Sequence, residues 1–199
     1  MKSIVNLLVG GALVVCSSVA VAGVVTPSVL VKNTADEVLQ IIKNDKDIQA
    51  GDMHKITALA EDKVLPHFDF EHMSRLVLGK DWSPASKEQQ GYFITEFRTL
   101  LIRTYASALA KYRNQTIEYK PLHEQSGDTD VTVKTLILQS GGEPLPLNYK
   151  LDKAGEEWKV YDLEIGGVSL VNSYPGQFST EIRKSGMDGL IQKLADKNK

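Results

Sequence analysis

Two stretches of the chain hold residue types that do chemistry. Gly167-Val168-Ser169-Leu170-Val171 begins like the G-x-S-x-G elbow, which presents a serine hydroxyl for acyl transfer, but Val171 stands where the last glycine belongs. It follows the pair Gly166-Gly167 and precedes a helical pattern, where Ser169 reads more simply as a capping residue. His67-Phe68-Asp69-Phe70-Glu71-His72 has the composition of a metal cluster. Its histidines are five residues apart, so on a helix they point in different directions, and the spacing fits neither H-E-x-x-H nor H-x-x-E-H. A turn between helices, with Phe68 and Phe70 buried and the polar groups solvated, explains the stretch better. His54 and His123 stand alone and read as surface residues, and no glycine-rich phosphate loop occurs. Asp162, inside Tyr161-Asp162-Leu163, is the only carboxylate embedded among apolar neighbours. It suits the role of hydrogen-bond acceptor better than that of a catalytic acid or base, which would need a partner. No catalytic residue, metal or organic cofactor is assigned.

Composition sets the class. Of 199 residues, 42% are apolar and 24% charged, which excludes collagen-like, coiled-coil and disordered chains. Lys and Arg number 23 against 25 Asp and Glu, a balance that argues against a nucleic-acid partner. Residues 1–22 read as a signal peptide: Lys2, an uncharged apolar run, then Val19-Ala20-Val21-Ala22 with an A-x-A cleavage site. The run is too short to span a bilayer. A lipoprotein reading through Cys16 is disfavoured, because Val15 is larger than the residue a lipidation site wants there. Cleavage takes the net charge from −2 to −3 and removes the only cysteine, so a hydrophobic core must hold residues 23–199, which fit a single domain.

The elements run helices, strands, helices. Thr26-Pro27 caps a first helix with the stripe Val31, Thr34, Val38, Ile41 and Ile42, ending at Asn44-Asp45-Lys46-Asp47. Asp52 caps a second, stopped before Pro66, and a short third helix spans about 70–78 up to Gly79. Ser83-Pro84 opens the longest, to about Tyr112. Its Phe93, Phe97, Leu100, Leu101, Tyr105 and Leu109 follow helical spacing, and flanking residues widen the apolar face beyond what one small core requires. Periodicity alone favours a central helix packed on both sides. After Asn114 the period becomes two, and 116–120, 131–139, 145–152 and 157–165 read as strands joined by short glycine-containing turns, hence an antiparallel meander. Helical patterns return at 168–184 and 187–197. The fold class is α+β, a four- to five-stranded antiparallel sheet wrapped by helices.

Val64-Leu65-Pro66-His67-Phe68-Asp69-Phe70 followed by Leu76-Val77-Leu78-Gly79-Lys80-Asp81-Trp82 resembles a stretch of the MlaC (toluene-tolerance) family of periplasmic phospholipid-binding proteins. So do the long helix with Tyr92-Phe93 and Glu96-Phe97-Arg98, the segments Trp158-Lys159-Val160-Tyr161-Asp162-Leu163 and Gly167-Val168-Ser169-Leu170-Val171, and later Gln177-Phe178 and Gly186-Met187-Asp188-Gly189-Leu190. The likeness covers nearly all of residues 23–199 in the family's order. Pro175-Gly176 departs from it, where helix formers are usual, and predicts a kink.

The resemblance implies a soluble periplasmic carrier, monomeric, with phospholipid as cargo and no cofactor. It would shuttle lipid between an outer-membrane lipoprotein–porin complex and an inner-membrane ABC transporter complex with an MCE-domain subunit, maintaining outer-membrane lipid asymmetry. Two acyl chains expose roughly 30 methylenes, worth on the order of 20 kcal/mol in water, so a carrier needs an apolar cavity between sheet and helices. Phe93, Phe97, Leu100, Leu101 and Tyr105 are expected to contact the chains opposite Leu147, Tyr149, Val160 and Leu163, with Gly166 and Gly167 as either a hinge or a simple turn. With no tight Lys/Arg cluster, binding should be driven by the tails and tolerant of headgroup. Two other classes stay open: an enzyme on a related fold working through Asp162, and a bridging adaptor with a filled core. The exported chain is expected to begin at Gly23, which intact-mass measurement checks.

Overall fold

The computed structural model describes residues 25–109, 115–122, 127–139 and 141–199. The expected signal peptide with Cys16, Tyr112 and His123 lie outside them. Helix α1 (Pro27–Asn44) begins at an N-cap whose Thr26 hydroxyl accepts from the Val29 N–H, with Pro27 in the first turn. Asp45 ends it and caps the short α2 (Lys46–Ala50), which the sequence reading did not separate, by accepting from the N–H groups of Asp47 and Ile48. Asp52 caps α3 (Met53–Leu59) in the same way. The chain then widens into a π-turn over Ala60–Val64 and tightens into a 3₁₀ turn over Leu65–His67. Pro66 accounts for this break: it has no N–H, and its ring would collide with the Asp62 carbonyl in a continuing α-helix.

Helix α4 (Phe70–Leu78) is capped by Asp69, whose carboxylate accepts from the His72 N–H at 2.7 Å, and stops at Gly79. The long helix α5 (Lys87–Leu109) starts at Lys87, not at Pro84. Ser86 and Gln89 form a reciprocal capping box, the Ser86 hydroxyl accepting from the Gln89 N–H at 3.1 Å and the Gln89 side chain from the Ser86 N–H at 3.0 Å, which outcompetes the earlier Ser-Pro signal.

Five strands, β1 (Thr116–Tyr119), β2 (Asp130–Leu138), β3 (Leu145–Ala154), β4 (Glu157–Ile165) and β5 (Val168–Ser169), form one antiparallel sheet in chain order. Register places Val131, Leu151 and Val160 across one face, then Val133, Tyr149 and Leu163, then Thr135, Leu147 and Ile165. A bulge between Lys150 and Leu151 in the β3–β4 pairing adds curvature. The α3–α4 connection is pinned to the sheet by a parallel bridge, the Asp69 N–H donating to the Val160 carbonyl at 2.9 Å.

Gly166 and Gly167 do not join a strand to a helix, as the sequence suggested. They are the two turn residues between β4 and β5, with φ of 58° and 83°. Positive φ at both central positions is what a type I′ hairpin turn demands and what glycine supplies without strain. The predicted helix at 168 therefore begins later: a 3₁₀ turn (Val171–Ser173) leads to α6 (Pro175–Lys197). Pro175 opens α6 rather than kinking it, and the break falls at Gly186, with φ of 73°, between the two helical patterns read from sequence.

Asp162 is 2% exposed and is held by the Lys150 ammonium at 3.1 Å, the Ser169 hydroxyl at 2.7 Å and the Val171 N–H at 3.1 Å. Ser169 in turn accepts from the Asn172 N–H at 3.0 Å, so its hydroxyl is spent in capping. This network fastens β5 and the following turn to the sheet. Asp162→Ala leaves a buried N–H and hydroxyl without their acceptor and is expected to lower stability by about 2–4 kcal/mol. Urea unfolding should show a lower midpoint at unchanged slope.

Candidate functional site

Three apolar clusters build the interior. One joins α4, α5 and α6 through Met73, Val77, Phe93, Phe97, Phe178 and Leu190. A second joins α1, α2, α3 and α5 through Val38, Ile42, Ile48, Ile56, Leu59, Ile102 and Ala106. The third lays Val31 of α1 on Val131, Val133, Leu151 and Val160 of the sheet. Where the three fail to meet lies a cavity of about 240 Å³. Native interiors leave few voids larger than a water molecule, so a space of this size is a feature of the fold rather than loose packing.

The sheet supplies the floor: Ile117, Ile137, Leu147, Tyr149, Val160, Leu163 and Ile165. Leu147, Tyr149, Leu163 and Ile165 lie on strands inside the sheet yet are only half-buried, because they face the cavity and not a packed helix. The roof comes from Leu101, Ile102, Tyr105 and Ala106 of α5 and from Val31, Thr34, Ala35, Val38 and Ile42 of α1. Ala60 and Val64 of the π-turn, then Leu65, His67 and Phe68, close one side, with Phe70 and Met73 of α4 beyond them. Among the described residues, Thr34, His67, Tyr105 and Tyr149 are the only lining side chains with hydrogen-bonding groups. Walls with so few polar groups hold ordered water poorly and hydrocarbon well.

The structure brings Leu101, Tyr105, Leu147, Tyr149, Val160 and Leu163 together around this space, and excludes Phe93, Phe97 and Leu100 from it. At about 100° per residue, those three share one sector of α5, while Leu101 and Tyr105 lie about 80–120° round from Phe93 and Ile102 and Ala106 about 180° or more. The first sector is taken by α6: Phe93 meets Phe178 edge-on at 5.6 Å and Phe97 meets Tyr174 at 5.5 Å. Aromatic pairs of this kind make a core, not a ligand wall. The helix is packed on both sides, as periodicity favoured. Sequence reasoning missed the lining from α1 and from the 60–68 turn. The signal available was the α1 stripe, which Ala35 widens toward the cavity.

Polar groups near the cavity are few. The Tyr174 hydroxyl, hydrogen-bonded to Tyr105, has its pKa pushed up to about 12, by burial first and by Tyr105 second. Burial, then the Lys159 ammonium, pulls the His67 imidazole below its usual range, favouring the neutral ring. His72 is turned to the sheet: its Nδ1 lies 2.8 Å from Asp152 Oδ2, and its ring stacks on Tyr161 at 4.6 Å. Asp69, His72 and Asp152 hold their ligand-type atoms within 4.8 Å of one another. Asp69 is engaged as the α4 cap and Asp152 as the partner of His72, so the trio ties α4 to β3.

An apolar cavity enclosed between an antiparallel sheet and a wrapping of helices defines a container for a hydrocarbon-rich ligand. The sequence model of the MlaC protein family matches residues 32–196, and the chain belongs to that family. The intermembrane phospholipid transport system binding protein MlaC of Haemophilus influenzae is 29% identical over 172 residues, covering 85% of this chain and 80% of that protein. A toluene tolerance protein of Pseudomonas putida is 26% identical over 164 residues, 82% of this chain and 76% of its own. The structure of a phospholipid-binding protein from Ralstonia solanacearum in complex with a phospholipid superposes with a TM-score of 0.80 at 41% identity, covering 86% of this chain and 96% of that one.

The split between core and cavity residues has a measurable consequence. Phe97→Ala empties packed space and is expected to cost about 3–5 kcal/mol. Leu163→Ala enlarges a space that already exists, so the added cavity term falls away and the cost should stay under about 2 kcal/mol. Denaturant unfolding of the two delipidated variants compares them.

Proposed function

We propose that the chain is a periplasmic phospholipid carrier, with residues 1–22 removed on export and residues 23–199 forming a single lipid-binding domain. The observation that carries this reading is the cavity, walled almost entirely by hydrocarbon, in a member of a family whose relatives bind and transport phospholipid. Acyl chains would lie against Leu101 and Tyr105 above and Leu147, Tyr149, Val160 and Leu163 below, with α1 and the 60–68 turn completing the wall. The carrier would pass lipid between an outer-membrane lipoprotein–porin complex and an inner-membrane ABC transporter complex with an MCE-domain subunit, supporting outer-membrane asymmetry, and work as a monomer. No helix among the described residues is long and apolar enough to cross a membrane.

An adaptor with a filled core fits the open cavity poorly. An enzyme reading through Asp162 has no support from the geometry, since Asp162 is consumed in fastening β5 and does not line the cavity.

Protein purified without detergent should carry stoichiometric phospholipid, measured by extraction and mass spectrometry. Leu163→Asp would set an unpaired charge against the tails and should remove the lipid while the protein stays folded. Undiminished lipid in that folded variant contradicts the cavity assignment. Release requires widening between helices and sheet. Helix α1, not α5, packs directly on the sheet, so a disulfide joining α1 to β2 in the cysteine-free 23–199 chain is expected to slow transfer to acceptor vesicles severalfold on oxidation, with reduction restoring it.

A further inference from the structure

Among the described residues, the cavity wall contains one side chain able to carry positive charge, His67. It ends the 3₁₀ turn Leu65–His67 and is half-buried, so it lies where the apolar wall gives way to solvent. No hydrogen bond to its ring nitrogens is formed among the described residues. The cations around it are engaged elsewhere. The Lys159 ammonium donates to the Pro66 carbonyl at 3.0 Å and pairs with Glu157 at 2.8 Å, and Lys63 pairs with Glu37 of α1 at 3.0 Å. Among the other polar wall residues, Tyr105 is bonded to Tyr174 and Tyr149 has a partner. A polar ring on an apolar wall, with its hydrogen-bonding capacity unspent, is costly unless a ligand or water completes it.

Resting on the carrier reading above, we propose that His67 marks the mouth of the cavity and donates a hydrogen bond to the phosphodiester of the bound lipid. Tails then run inward from the 60–68 turn toward Tyr105, Leu147 and Ile165. The phosphodiester is common to all glycerophospholipids, whatever alcohol it carries. A single neutral donor there recognises a phospholipid without choosing among headgroups, which fits the balanced ion pairs on either side. A cluster of unpaired lysines would instead have favoured anionic lipids.

The test compares lipids with and without phosphate on delipidated full-length protein. Wild type, His67→Leu and His67→Gln are titrated with dioleoylphosphatidylethanolamine, dioleoylphosphatidylglycerol and dioleoylglycerol. His67→Leu should weaken both phospholipids by about tenfold to a hundredfold, the span of one lost hydrogen bond to a charged group, and leave dioleoylglycerol within about twofold. His67→Gln, which keeps a donor, should recover most of the loss. In wild type, the His67 ring resonances should shift with either phospholipid and not with dioleoylglycerol. The proposal is overturned if His67→Leu leaves phospholipid affinity within twofold, or if dioleoylglycerol suffers equally, which would make His67 a packing residue. Failure of all three lipids to bind wild type would instead sink the carrier reading, and this inference with it.

Discussion

The structure depends on keeping an apolar space open. Hydrocarbon surfaces gain about 25 cal/mol per Å² by closing on one another, so the default fate of a cavity walled by Leu, Val and Ile is collapse. Collapse is prevented only if the elements forming the walls are fixed by contacts elsewhere. Each wall here has such an anchor behind it. Helix α5 is held from its far side by Phe178 of α6 and by Tyr174, at the N-cap of α6, and α1 by Ile56, Leu59 and Ile48. The sheet is held at one end by Val31 and at the other by the Asp162–Ser169 network. The residues expected from sequence to touch ligand, Phe93 and Phe97, are the ones that keep α5 from falling inward.

Backbone irregularities share that task. The π-turn over Ala60–Val64, forced by Pro66, places Ala60 and Val64 on the cavity instead of continuing the α3 register. The Phe68–Val160 bridge then fixes the height of that turn above β4, and the bulge beside Leu151 adds local bend and twist to the sheet. These irregularities are local, and the hydrogen bonds at Asp69 fix the turn while those at Asp162 fix β5.

Much of this was legible in the sequence because it is encoded by short-range chemistry. Thr26-Pro27 and Asp52 are caps whose partners lie two or three residues away, and the four longer strands declare themselves by alternation and by glycine turns, whereas the Asp69 cap was hidden in a stretch read as a solvated turn. What was not legible depends on partners far along the chain. Periodicity shows that α5 is apolar over most of its circumference, but not which sector meets α6 and which meets empty space, since Phe97 and Tyr174 are distant in sequence. The same limit applies to β5, only two residues long and visible just through its pairing with Glu164 and Ile165. Gly166-Gly167 announces a reversal of direction, and whether a strand or a helix follows is decided by Asp162 reaching Ser169 and Val171.

The anchoring also bears on how such a container would work. A cavity this apolar resembles the bilayer interior, so moving a lipid between the two is close to neutral in free energy, and the protein by itself supplies no direction. Its contribution would be kinetic: how readily the walls part. The aromatic contacts of α5 with α6 and the Asp162 network are buried and belong to the rigid half. Helix α1 covers the sheet through fewer groups, with Val31 as its one fully buried contribution to the sheet-side cluster, and its cavity-facing Thr34 and Ala35 are half-exposed. A fold that must both hold its cavity open and let cargo through is expected to concentrate packing on one wall and leave another lightly fastened. By that division α1 is the lightly fastened side, and the α4–α5–α6 core, with the 60–68 turn pinned to β4, is the frame against which it would move.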